Sequence, residues 1–155
     1  MTDAKAYLKR IRLYDAHINN KMEELERLKE MVTKITQTLR EDAGGGSRSQ
    51  DKIGDAVSRI VDLQAELNAE IDRYVDSKAE ICNALNKIQK QRYFDVLYKR
   101  YVLFKTWQQI ADEMGFSDER GVYKLHGRAL QAFNKILCKS NEEKEEWALK
   151  FSIPR

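Results

Sequence analysis

From Ala4, apolar residues return every seven positions through Ile11, Ile18, Leu25, Val32 and Leu39, and a second row at Tyr7, Tyr14, Leu28 and Ile35 is interrupted by Lys21. A stripe held for five heptads is the a/d seam of a helix that packs lengthwise on another helix. A second stripe begins at Ile53 and passes through Ile60, Leu67, Tyr74, Ile81 and Ile88, flanked by Val57, Ile71 and Leu85 on one side and Leu63 on the other. Each stripe predicts a helix of ~35–40 residues, roughly 55–60 Å long at 1.5 Å per residue. Between them, Gly44, Gly45 and Gly46 sit within a polar stretch from Asp42 to Gln50. Three glycines lose the most backbone entropy in a helix, so the chain is expected to turn there, with Ser49 or Asp51 capping the next helix. Two helices of matched length on a short loop bury their stripes by folding back antiparallel, which predicts a long helical hairpin of the coiled-coil type over residues 1–90. One narrow seam stabilises little, so the hairpin is expected to support a homo-oligomer, a dimer in the first instance.

Beyond Gln91 the pattern changes to Tyr93, Phe94, Leu97, Tyr98, Tyr101 and Val102, a broader aromatic face suited to a compact bundle. Thr106 followed three residues later by Gln109 is a capping box, which starts a helix at Trp107. Gly115 is placed to end that helix in a left-handed conformation, and Ser117 to cap the next. Ile110, Ala111 and Met114 form the inner face of the first helix, and Val122, Leu125, Ala129 and Phe133 that of the second. A short helix, a glycine turn, an alanine four residues before it and a second amphipathic helix make the helix-turn-helix pattern, expected over residues 91–139. Residues 140–155 are left as a C-terminal tail, acidic first and then carrying Trp147, Leu149, Phe151 and Ile153.

Composition agrees with an all-α chain. The only proline is Pro154, charged residues make up 34% and hydrophobic residues 42%, which suits solvated helices with narrow seams. Charge is balanced over residues 1–90, whereas residues 91–139 hold nine basic and five acidic side chains. Any surface that meets a polyanion is therefore expected in the second segment. Cys82 and Cys138 are far apart and form no CxxC, no apolar run reaches membrane-spanning length, and no leader is visible in Met1 to Arg12. These features point away from a disulfide framework, a zinc site and a membrane partner, and toward the cytoplasm. His17 and His126 have no sequence-local Asp or Cys partner, and the glycine run lacks the Lys-Ser/Thr of a phosphate loop. No catalytic residue, metal ligand or cofactor site is predicted, and the chain is not expected to be an enzyme.

The stretch Tyr98-Lys99-Arg100-Tyr101, through Trp107-Gln108-Gln109-Ile110-Ala111 and Gly115-Phe116-Ser117, to Leu125-His126-Gly127-Arg128-Ala129-Leu130 resembles region four of bacterial sigma factors. With heptad arms ahead of it, the chain is similar to small phage- and prophage-encoded sigma-like or late-gene-activator proteins of Gram-positive bacteria. Two departures stand out. Gln109 replaces the more usual acidic residue, and the stretch Ser117 to Val122 is one residue longer than the pattern, which shifts the register of outward side chains.

The resemblance implies a sequence-specific, DNA-binding transcriptional regulator, with double-stranded DNA as partner, RNA polymerase as a second partner, and a recognition helix over residues 118–133 in the major groove. In such a module, helical spacing turns Arg120, Tyr123, Lys124 and Gly127 outward toward base edges. Arg120 suits the O6/N7 pair of guanine, and Tyr123 a thymine methyl or a phosphate. Lys105, Thr106, Gln108 and Arg128 are expected on phosphates, with Ser117 at the helix start. Asp118 and Glu119 fit the positive end of a helix dipole. Two other readings keep the helices: a phage DNA-packaging protein of the small-terminase kind, and a coiled-coil interaction protein that binds no DNA.

Overall fold

Helix formers without an internal proline fold this chain into helices almost throughout. The structure, a computed structural model, describes residues 3–41 and 47–151, and these are all-helical, with no strand among them. In chain order the helices are α1 (Ala4–Glu41), α2 (Ser47–Leu85), α3 (Gln91–Tyr101), α4 (Trp107–Met114) and α5 (Glu119–Phe151). The lengths of α1 and α2, 38 and 39 residues, match the expected ~35–40 residues, although α2 ends at Leu85 and leaves Ile88, the last position of its stripe, outside the helix. The expected glycine turn at Gly44–Gly46 lies outside the described residues, as does Ile153. Because α2 begins at Ser47, Ser49 and Asp51 lie inside its opening turns and neither stands at the cap.

Packing divides the chain into two compact units, Leu13–Val75 and Met1–Arg12 with Asp76–Arg155. In the first, the expected α1 rows are half-buried: Ile18, Leu25, Val32 and Leu39 in one, Tyr14, Lys21, Leu28 and Ile35 in the other. Lys21 does not break its row. It lays its stem along the seam and carries Nζ to Glu66 at 3.3 Å, while Arg59 reaches Glu24 at 3.3 Å and Glu66 at 3.5 Å. On α2, Ile53, Ile60 and Leu67 are half-buried and Ala56 and Leu63 are buried. Val57 and Ile71, expected to flank that seam, face away and are exposed. Ala56 and Leu63, on the opposite side of the stripe, are buried instead, and one helix can bury only a narrow arc.

The second unit has a thick core. Leu8 and Ile11 of α1, Ile81 and Leu85 of α2, Val96 and Leu97 of α3, Ile110 and Ala111 of α4, and Val122, Ala129 and Phe133 of α5 are all completely buried. Leu8 belongs to neither heptad row, so the start of α1 is covered on more faces than a two-helix seam can cover. Tyr7 ties the same segment down: its hydroxyl donates to Glu80 at 3.1 Å and its ring lies 6.1 Å from Phe133. A boundary near residue 90, where the heptads end, therefore falls inside this unit rather than at its edge.

Residues 140–151, expected as a tail, continue α5 without interruption. Trp147, Leu149 and Phe151 are exposed there, with the Trp147 and Phe151 rings 4.8 Å apart at i, i+4 spacing.

Candidate nucleic-acid interface

The turn from α3 to α4 is built by backbone hydrogen bonds. The amides of Val102 and Leu103 both donate to Tyr98 O, Phe104 takes a left-handed φ of 54°, and Lys105 N donates to Lys99 O at 3.0 Å. Arg100 holds the turn from outside, donating Nη1 to Lys105 O at 2.9 Å and lying 4.2 Å from the centre of the Trp107 ring. Helix α4 then opens on both halves of the expected capping box. Gln109 N donates to Thr106 Oγ1 at 3.2 Å, and Thr106 N to Gln109 Oε1 at 2.9 Å.

Gly115 closes α4 with φ 77° and ψ 28°, and its N–H donates to Ala111 O. Only a residue without Cβ adopts that conformation at no cost. The next helix is capped by Asp118 rather than Ser117: Arg120 N donates to Asp118 Oδ1 at 3.0 Å. A carboxylate suits this place because it accepts from a free amide and faces the positive end of the helix dipole.

Val122, His126, Ala129, Phe133 and Leu137 form the buried face of α5, with Leu125 half-buried beside them. His126 is the unexpected member. Its Nε2 and the Tyr101 hydroxyl share a hydrogen bond of 2.8 Å, and its ring meets Trp107 edge-on at 4.8 Å. Burial, reinforced by Lys5 and Arg100, lowers its pKa to about 4, so the ring is neutral at pH 7. Burial also pushes the Tyr101 phenol up to about 12. This uncharged pair forms the floor beneath Trp107 and the first turns of α5.

With that face inward, Arg120, Tyr123, Lys124, Gly127 and Arg128 are exposed on α5. Tyr123 lies on one flank of this set, and Lys124 and Arg128 lie on the other. On one, the Tyr123 ring packs edge-on against Trp107 at 5.1 Å and its hydroxyl donates to Glu119 at 2.8 Å, a bond that raises the phenol pKa. On the other, Lys124 and Arg128 join Lys90, Arg92, Tyr93, Phe116, Gly121 and Leu125 around a groove of about 320 Å³. The lining holds four cations and no carboxylate. Lys90 lies 4.6 Å from the Tyr93 ring centre and Arg92 5.2 Å from that of Phe116, so the wall alternates charge with aromatic surface. Gly121 is required here, since a Cβ on it would meet Phe116 Cδ1 at 2.4 Å.

Of the remaining sequence-predicted residues, Thr106 and Gln108 are exposed at the α4 N-terminus, where Gln108 bonds Asp112 at 3.0 Å, and Ser117 is exposed in the turn. Lys105 differs from expectation. Its ammonium, like that of Lys99, is bonded to the Glu113 carboxylate, which both lysines hold below its usual pKa. Lys105 is thus an internal ion-pair partner rather than a free cation. Lys90, Arg92, Phe116 and Gly121 were missed from sequence. The signal was the basic sequence Lys87, Lys90, Arg92, which a boundary drawn at residue 90 cuts in two.

Comparison with known protein families, with characterised proteins and with solved structures finds no match to this chain. Among the described residues, no helix is long and apolar enough to cross a membrane, and no cluster of three His, Cys, Asp or Glu side chains could hold a metal ion.

Proposed function

We propose that α4, the turn at Gly115 and α5 are a helix-turn-helix of the sigma-region-four kind, and that the chain is a sequence-specific DNA-binding transcriptional regulator. The observation that carries this reading is the groove beside α5, where Lys90, Arg92, Lys124 and Arg128 converge with no carboxylate among them. None of the four is held in a salt bridge among the described residues. Cations without a carboxylate partner, interleaved with aromatic rings, suit the phosphates of a nucleic-acid backbone. Arg120, exposed in the first turn of α5, is the side chain best suited to read a guanine edge. The pairs Lys21–Glu66 and Glu24–Arg59, whose positions ascend on α1 as they descend on α2, support the antiparallel hairpin as the second part of the molecule.

The test is retention of genome fragments by the purified chain, followed by titration of a retained duplex at several salt concentrations. Four or five phosphate contacts give a slope of log affinity on log salt of roughly −4. Lys124→Ala with Arg128→Ala should reduce its magnitude by about 2 on every duplex, because phosphate contacts carry no sequence information. Arg120→Ala should instead lower the preference for the retained site over random duplex by about 1–3 kcal/mol. Equal binding of the retained site by wild type and by an Arg120→Ala, Lys124→Ala variant would refute the reading.

A further inference from the structure

The outer face of α2 carries a second seam that α1 leaves uncovered. Val57, Val61, Ile71 and Val75 are 44%, 58%, 38% and 56% exposed, and Gln64 and Asn68 are exposed between them. Successive spacings along this row are four, three, four, three and four residues, the a/d rhythm of a helix seam. Its chemistry reads the same in both directions: two aliphatics, two amides, two aliphatics.

We infer that α2 pairs through this row with α2 of a second copy of the chain, antiparallel and about a two-fold axis lying between Gln64 and Asn68. A two-fold interface requires that when residue i meets j, j also meets i. Running the row against itself satisfies that rule at every position. Val57 meets Val75 of the second copy, Val61 meets Ile71, and Gln64 meets Asn68. The central amides then donate to and accept from each other twice across the axis, so neither is buried without a partner. Beside the row, Ala65 faces its own copy and the Ser58 hydroxyl faces the Asp72 carboxylate, so no like charges oppose each other. Small side chains at Gly54, Ser58, Ala65 and Ala69 let the helices approach closely. A shift of one heptad would set an amide against an aliphatic, so the amides also specify register, as buried polar residues do in helical seams. The pairing stands apart from the DNA-binding reading and does not depend on it.

Sedimentation equilibrium of the full chain, from about 1 to 100 µM, tests the inference. A dimer is expected. Val61→Lys places two lysines per dimer against Ile71 and should raise the dissociation constant at least ~100-fold. Helicity by circular dichroism should be unchanged, because Val61 is exposed in the monomer. Adding Ile71→Glu to Val61→Lys sets opposite charges across the antiparallel pair at both places and should restore affinity about two- to thirty-fold, on the order of a surface ion pair at each. A chain monomeric throughout that range would overturn the proposal. So would a dimer indifferent to Val61→Lys, or a V61K/I71E variant no tighter than V61K, as parallel pairing requires.

Discussion

His126 should make this fold acid-sensitive over a defined window. In the folded chain its pKa is lowered to about 4, whereas in the unfolded chain it returns to its ordinary value of 6.5. The unfolded state therefore takes up a proton first as pH falls. The contribution is complete above pH 6.5, declines as pH falls below it, and levels off near pH 4. Between about pH 7.5 and pH 5 the loss from this group alone is about 2 kcal/mol, from one proton per unfolding event at 1.36 kcal/mol per pH unit. Lys5 and Arg100 act in the same direction as burial. The control is His126→Phe with Tyr101→Phe, which removes both ends of the 2.8 Å hydrogen bond and leaves neither group buried without a partner. Urea unfolding at the two pH values, followed by circular dichroism, gives the loss for wild type and for the double variant. Their difference is the His126 share, free of the carboxylates that titrate in both. Equal acid losses in the two proteins would refute the reasoning, as would an NMR titration in which the His126 ring protonates near pH 6.5.

Two glycines on α5 should respond in opposite directions in thermal unfolding. Gly121→Ala drives a Cβ into Phe116 and should destabilise by about 1 kcal/mol net, an overpacking cost of 1–3 kcal/mol less the helix gain over glycine. Gly127→Ala, with no atom within 4 Å of the new Cβ, should stabilise by about 0.5–1 kcal/mol. Glu113→Gln releases Lys99 and Lys105 from the carboxylate that binds both. Duplex DNA should then bind more tightly, with a salt slope steeper by about 1–2, and an unchanged slope would show that neither lysine reaches a phosphate.

Much of this molecule is legible in local sequence. Heptad spacing located α1 and α2 and their half-buried rows, and the Thr106/Gln109 box and Gly115 located α4, because caps and helical period are short-range properties. Ser117 and Asp118 are both competent caps side by side, and composition does not choose between them. Which row of α2 beside the main stripe turns inward was not legible either, since Val57 and Ala56 differ by only 100° on the helix and their order depends on where α1 lies.

The sequence by itself determined an all-helical chain, the lengths of α1 and α2, a basic second segment and the outward set Arg120, Tyr123, Lys124 and Arg128, because each follows from spacing within one helix. Only the tertiary structure decided that Leu8 is core, that His126 is buried and neutral, that Lys105 is paired, and that Lys90 and Arg92 stand beside Lys124 and Arg128. Those facts depend on which faces of separate helices meet, and no pattern within a single helix encodes its neighbour.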